Sequence, residues 1–295
     1  MAEKQQQRRV LPGSTIGRRV GLLGFSLLSL VVLSGCSSAT KADWKRAGMP
    51  EPSTEQADRV LSFWTGSWIA LMAVGIFVWG LMIWAFIVYR HRKGAAVPVQ
   101  TRYNMPIEAL WTIAPLIMII GFFYFTQRDT AILTKVTSDN TQTVNVTGFR
   151  WSWTFNYVNQ DVFETGQPAY QINEKDNGPV PTQEAGIPTL WLPIGQEVRF
   201  NLSSPDVVHS FWVPVFLTKL DVVPGRTNTF EVTPNRLGTF AGKCAELCGV
   251  DHSRMLFNVK VVTQAEFDAH INELRQRGLT GQLNTGRTSD QAQKV

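Results

Sequence analysis

The chain has 295 residues, room for one or two domains alongside membrane segments, and 44% of them are hydrophobic. Its net charge of +5 sits largely at the start, where Lys4, Arg8, Arg9, Arg18 and Arg19 are set against Glu3 alone. Residues 128–262 carry 11 basic and 13 acidic side chains, which leaves no positive surface to grip phosphate and excludes a nucleic-acid partner.

The basic start runs into an uncharged stretch from Val20 to Gly35, the order of an export signal. Leu33-Ser34-Gly35-Cys36 closes that stretch in the form of a bacterial lipoprotein signal. Residues 1–35 are therefore expected to be a signal peptide, Cys36 the lipidated residue after cleavage, and 36–59 an extracytoplasmic linker. One lipid chain anchors only reversibly, but two longer apolar segments follow. Val60 to Tyr89 and Ala109 to Gln127 contain no charged residue, and about 20 such residues cross a bilayer core as a helix. Arg90, His91, Arg92, Lys93 and Arg102 lie between them. The positive-inside rule places that loop in the cytoplasm and both outer flanks outside. Residues 60–127 thus read as a transmembrane hairpin.

From Val144 the texture changes to short runs such as Glu197-Val198-Arg199-Phe200-Asn201-Leu202, separated by Gly, Pro and Asn. Alternation of this kind predicts an all-β sandwich or barrel, assigned here to residues 128–262. The stretch from Glu164 to Gly186 is poor in apolar residues and is expected to be a surface insertion without chemistry. Thr263 with Glu266 has the form of a capping box, and Phe267, Ile271 and Leu274 recur at helical spacing before Gly278. Residues 263–295 are accordingly a short helix and a polar, disordered tail. His270 on that helix and His91 in the basic loop are both expected to be solvated.

Chemistry is concentrated in Cys244-Ala245-Glu246-Leu247-Cys248-Gly249-Val250-Asp251-His252-Ser253-Arg254-Met255. Two thiols, an imidazole and a thioether within one loop form a soft donor set that selects copper. With a second imidazole upstream at His209, the two Cys residues suggest a pair of coppers sharing two sulfurs, in an electron-transfer subunit. Two rival readings exist for the same residues. A Cys pair in an oxidising compartment forms a disulfide, and a Cys2His2 set closes tetrahedrally on zinc; neither gives Met255 a use. Phe149-Arg150-Trp151-Ser152-Trp153 is an aromatic strand by itself, with core packing on at least one face. Trp153 is expected on the face opposite Trp151, as a structural residue.

Ser204-Pro205-Asp206-Val207-Val208-His209-Ser210-Phe211-Trp212-Val213-Pro214, together with the Cys244–Met255 loop, closely resembles subunit II of the haem-copper cytochrome c oxidases, of the bacterial aa3 type. The resemblance runs from Trp64 to about Val262 and includes both spans. It implies a two-helix transmembrane hairpin followed by a cupredoxin-like sandwich in the bacterial cell membrane, with the C-terminal domain extracytoplasmic. It also implies a dinuclear copper centre, CuA, bridged by Cys244 and Cys248 and ended by His209 and His252. Met255 and the backbone carbonyl of Glu246 are the weak outer ligands. The carboxylate of Glu246 reaches a magnesium ion shared with subunit I, and Lys219-Leu220-Asp221-Val222-Val223-Pro224-Gly225-Arg226 lies at that interface.

By the same resemblance Trp151 is where cytochrome c delivers its electron, which passes to haem in subunit I, where oxygen is reduced and protons are translocated. Glu108, opening Glu108-Ala109-Leu110-Trp111, stands at the mouth of a proton path; the plain alternative is a solvated flank of the span. The family's aromatic strand usually continues with an acidic residue where this chain has Asn156. That departure favours a donor that is membrane-bound or held in a supercomplex over one steered by acidic docking. No Cys-x-x-Cys-His occurs, so the donor haem belongs to another chain. A membrane-tethered copper carrier or sensor would need the cluster and an anchor, but not the Glu108 motif or the Trp151 strand. Quinol-oxidase subunits share the fold without the ligands, and nitrous-oxide reductase needs a much larger catalytic domain.

Overall fold

The computed structural model describes residues 38–91, 94, 97–137, 142–171 and 186–283. The leader, Cys36 and the last residues of the tail lie outside that set. Residues up to Gly48 form a unit of their own, whose described part is a short helix, α1 (Ser38–Lys45), with Arg46 ion-paired to Asp43 at 2.6 Å.

Two long helices follow, α2 (Glu55–Val88, 34 residues) and α3 (Met105–Leu133, 29 residues). At 1.5 Å per residue they are about 51 and 44 Å long, well beyond the roughly 30 Å hydrocarbon core. Both extend past the uncharged runs because caps, not hydropathy, fix the ends. Thr54 accepts the Ala57 amide at 3.1 Å, and Asn104 accepts that of Ile107 at 3.4 Å. The hairpin expected over 60–127 therefore begins at residue 55, and the first residues assigned to the sandwich, 128–133, are the last turns of α3. Within those turns Asp129 takes an ion pair from Arg59 of α2 at 3.3 Å.

The hairpin is fastened to the sandwich by backbone. Ser53 N–H donates to Val215 O, Glu55 N–H to Thr233 O and Asn235 N–H to Ser53 O, each at 3.0 Å. Gln56 Oε1 accepts the Thr233 amide at 2.9 Å. On the α3 side, Glu231 accepts the Thr137 amide at 2.8 Å and pairs with Arg199 at 2.8 Å.

The sandwich contains β1 (Gln142–Phe149), β2 (Ser152–Tyr157), β3 (Val162–Thr165), β4 (Thr189–Pro193), β5 (Val198–Ser203), β6 (His209–Val213), β7 (Thr218–Val222), β8 (Asn228–Val232), β9 (Gly238–Cys244) and β10 (Leu256–Val262). They form two five-stranded sheets, β3-β2-β1-β5-β8 and β4-β10-β9-β6-β7, with parallel pairs at β1/β5 and β10/β4. The alternation read from residues 197–202 appears as alternate burial along β5, and helix α4 (Gln264–Gln276) carries the expected capping box.

Between the sheets lies an aromatic core of Trp153, Phe155, Tyr157, Phe200, Phe211 and Phe257. Phe211 and Phe257 stack at 4.9 Å, and Trp153 meets both edge-on. Gly242 makes room for this packing, since a Cβ there would lie 2.2 Å from the Phe257 ring. Overfilling a packed core costs roughly 1–3 kcal/mol. Gly242→Ala is therefore expected to lower the unfolding free energy by that order and shift the denaturant midpoint down accordingly, and a wild-type midpoint would show that Phe257 can move away freely.

Three expectations change. His270 is buried rather than solvated: it stacks on Trp191 with ring centres 4.2 Å apart and meets Glu164 at 3.0 Å, because its place on α4 turns it onto the sheet. His91 is exposed, as expected. The tail does not leave the domain at Gly278, because Leu279 accepts the Phe163 amide and Leu283 exchanges two hydrogen bonds with the Asn156 side chain. Both faces of β2 are buried, and Asn156 faces the tail instead of a docking surface.

Candidate metal centre

β9 ends at Cys244 and β10 begins at Leu256, and the loop between them gathers the soft donors. Cys244 N–H donates to Met255 O at 3.0 Å, closing the loop at its base. Ala245 N–H donates to Ser210 O at 3.0 Å, tying the loop to β6. His209 is the first residue of β6 and enters from that neighbouring strand. A short 3-10 turn, His252–Arg254, brings His252 back over Cys248.

The donor atoms converge. Cys244 Sγ lies 3.8 Å from Cys248 Sγ, 3.9 Å from His209 Nδ1 and 3.2 Å from the carbonyl oxygen of Glu246. Cys248 Sγ lies 3.5 Å from His252 Nδ1 and 3.8 Å from Met255 Sδ. Both cysteines are free thiols, each 5% exposed, and His209 and Met255 are fully buried. The carboxylate of Glu246 is turned to the surface while its carbonyl faces the cluster.

Electrostatics prepare the cluster for a cation. The hydrogen bond from the Cys248 thiol, with that to His209, holds the Cys244 thiol well below its ordinary value against the opposition of burial. Cys248 is correspondingly pushed up, because its proton is held by Cys244 and a second negative charge would sit beside the first. Burial is the largest single influence on the His209 imidazole and depresses it, but the hydrogen bonds and charges of Asp206 and Cys244 together outweigh it and the net direction is upward. Asp206 is held at about 2: burial would raise it, and the bonds from His209 and from the Arg150 and Val207 amides more than reverse that.

Trp151 is placed by the turn between β1 and β2, not by a strand. Residues two apart on one strand share a face, so strand alternation does not separate it from Trp153; the turn does. Its indole N–H donates to Cys248 O at 3.0 Å, and its ring meets Tyr170 edge-on. Gly249 permits that approach, since at its φ of +127° a Cβ would lie 2.8 Å from the indole. Trp153 is fully buried, 6.2 Å from the His209 ring. Glu108 sits apart at the N-terminus of α3, half-buried, accepting the Asn104 amide at 2.8 Å.

Sequence reading missed three residues here. Tyr170 lay in the stretch assigned no chemistry, Gly249 passed as filler, and Asp206 was one letter of a motif. Its signal was available, since Ser-Pro-Asp before a β strand is turn chemistry that leaves a carboxylate three residues from a ligand.

The donor set fits copper: thiolates and a thioether are soft, imidazole is compatible, and each histidine presents Nδ1 to a sulfur. A membrane hairpin carrying a cupredoxin-type sandwich with this loop defines a copper-binding electron-transfer protein of the membrane, its β domain outside the cytoplasm. Residues 142–262 match the family described as cytochrome c oxidase subunit II, periplasmic domain, and residues 42–126 match the transmembrane domain of the same subunit. The chain belongs to the cytochrome c oxidase subunit II family, and its place is in a haem-copper oxidase. A probable cytochrome c oxidase subunit 2 of Streptomyces avermitilis is 49% identical, covering 88% of this chain and 89% of that one. Cytochrome c oxidase subunit 2 of Mycobacterium bovis is 33% identical over 82% of this chain and 78% of its own. Among solved structures, the periplasmic domain of subunit II of cytochrome oxidase from Bradyrhizobium japonicum is 26% identical, with a TM-score of 0.42, covering 48% of this chain and 99% of that domain.

Proposed function

We propose that this chain receives single electrons from a cytochrome c at Trp151, holds them on a dinuclear copper centre and delivers them to haem in subunit I. In this reading Cys244 and Cys248 would supply the thiolates shared by the two ions, His209 and His252 would each hold one of them, and Met255 and the Glu246 carbonyl would be the weaker donors. The observation that carries it is the convergence of both Sγ atoms with a Nδ1 on each side and a buried thioether. Such a centre supplies a one-electron couple whose charge is shared between two ions. The protein's own residues do the rest: the aromatic core excludes water, and the Trp151 indole joins the surface to the Cys248 backbone.

The remaining assignments belong to the same reading. The Glu246 carboxylate, exposed beside the loop, serves a magnesium ion at the subunit I interface. Glu108 marks a proton-path mouth at the cytoplasmic end of a two-span chain in the bacterial cell membrane, and Cys36 carries lipid after loss of residues 1–35. A cytochrome c donor that is membrane-bound or preassembled belongs to the same reading, and Asn156, buried against the tail, does not bear on that choice. Full-length chain purified in detergent and loaded with copper is expected to hold two coppers and accept one electron. Metal analysis giving one copper per chain, or the spectrum of a single blue site, would sink the dinuclear reading.

A further inference from the structure

A groove of about 790 Å³ lies between α2 and α3 toward their outer ends, within the roughly 300–1,000 Å³ usual for ligand clefts. Phe63, Met118 and Phe122 wall it, and the small residues Gly66, Ala70 and Gly121 keep it open. A Cβ at Gly66 or Gly121 would meet nothing within 4 Å. The mouth is charged. Arg59 and Arg128 both pair with Oδ1 of the buried Asp129, at 3.3 and 3.0 Å, while their side chains stay 41% and 48% exposed. Each guanidinium has five N–H donors, so one shared carboxylate oxygen leaves donors for a second anion. Glu55 and Asp58 stand on the same rim, and Asp58 accepts the neutral Asn235 amide at 2.8 Å. The helices set the depth: at 1.5 Å per residue, Arg59 to Ala70 is about 16 Å and Met118 to Arg128 about 15 Å. That is half of the roughly 30 Å hydrocarbon core, the thickness of one leaflet.

We propose that this groove seats one phospholipid of the outer leaflet with a phosphoethanolamine headgroup. The phosphate lies on Arg59 and Arg128, the ammonium against Glu55 and Asp58, and an acyl chain along Gly66, Ala70 and Gly121. The proposal rests on the reading of α2 and α3 as two membrane spans with the sandwich outside. Forked guanidinium groups match phosphate oxygens bidentately. The rim sets two arginines against three carboxylates, so a purely anionic headgroup would be repelled by Glu55 and Asp58, whereas a zwitterion answers both signs. A membrane-spanning helix of a neighbouring subunit is the rival occupant. Such a helix would cross both leaflets, but the lining ends at Ala70 and Met118. An acyl chain reaches only to the middle of the bilayer, as the groove does.

The test uses the assembled oxidase, washed in detergent to remove its lipid and then exposed to phosphatidylethanolamine or to phosphatidylglycerol. Bound lipid is counted by native mass spectrometry. Gly121→Leu is the filling variant, since its side chain enters the groove from a position where a Cβ meets no protein atom. Wild type is expected to retain one more phosphatidylethanolamine per copy of the chain than Gly121→Leu, and phosphatidylglycerol should not make up the difference. Arg128→Gln removes one phosphate-binding group and leaves Asp129 its partner Arg59. It should weaken retention at least about tenfold, the scale of a lost hydrogen bond to a charged group. Equal counts in wild type and Gly121→Leu overturn the site, and equal filling by phosphatidylglycerol overturns the headgroup assignment. If Gly121→Leu does not assemble, Arg128→Gln decides, and wild-type retention by that variant overturns the proposal. The spans are checked separately with Val97→Cys in the loop between them, which a membrane-impermeant thiol reagent should reach only after cells are opened. Labelling in intact cells overturns the two-span reading itself, whereas protection of that thiol with no lipid retained overturns the groove alone.

Discussion

Cys248→Ser is expected to abolish the shared copper centre while leaving the sandwich folded. Cys248 lies within 3.5 to 3.8 Å of His252, Cys244 and Met255, so it is the donor through which the two halves of the cluster meet. A hydroxyl of nearly the same volume fills the space, but it is a hard, weakly acidic donor that does not bridge two coppers. Losing a bridging ligand should reduce electron delivery by more than the 10–100-fold typical of an outer-shell loss. Copper analysis and the paramagnetic spectrum check this directly. Met255→Leu is the control for role. The swap conserves volume in a buried site and should cost less than about 1.5 kcal/mol, keep both coppers and shift the potential. If the two variants behave alike, the division into bridging and outer donors is wrong.

The candidate donors were legible in the sequence because metal chemistry is carried by side-chain type, and type is what a sequence states. His209, Cys244, Cys248, His252 and Met255 were all named from composition and order, and the structure brings all of them together. The spans were legible for a similar reason, since hydropathy is local. What a sequence does not state is which backbone carries a residue. Trp151 looked like the first Trp of an aromatic strand and is part of a turn, because strand pairing of β1 with β2 closes at Phe149 and Ser152. His270 looked solvated because a lone histidine on a polar helix gives no sign of the Trp191 ring beneath it. Asn156 looked like a surface position that had lost its acid. Its burial depends on a tail segment 127 residues further along the chain, a contact that no local pattern encodes. Asp206 shows the same limit from the other side, since its hydrogen bonds join the Arg150 turn to His209, segments distant in sequence.

Trp151→Ala and Trp153→Ala should separate function from stability in adjacent parts of one site. Trp153 is fully buried, meets the rings of His209, Phe211 and Phe257 edge-on, and reaches Met255 O only at 3.5 Å. Its truncation removes a large aromatic from the core and is expected to cost roughly 3–5 kcal/mol. Trp151 is half-buried in the turn, and its defined contacts are the Cys248 carbonyl, Tyr170 and Gly249. Losing one such hydrogen bond costs about 1 kcal/mol, and the freed carbonyl lies beside a surface where water can replace the indole. Trp151→Ala should therefore keep its copper and most of its stability while losing fast electron input. Trp153→Ala should unfold at markedly lower denaturant, and its copper should be lost along with the fold. Equal destabilisation by the two substitutions, with undiminished electron input through Trp151→Ala, would place Trp151 in the core and remove it from the electron path.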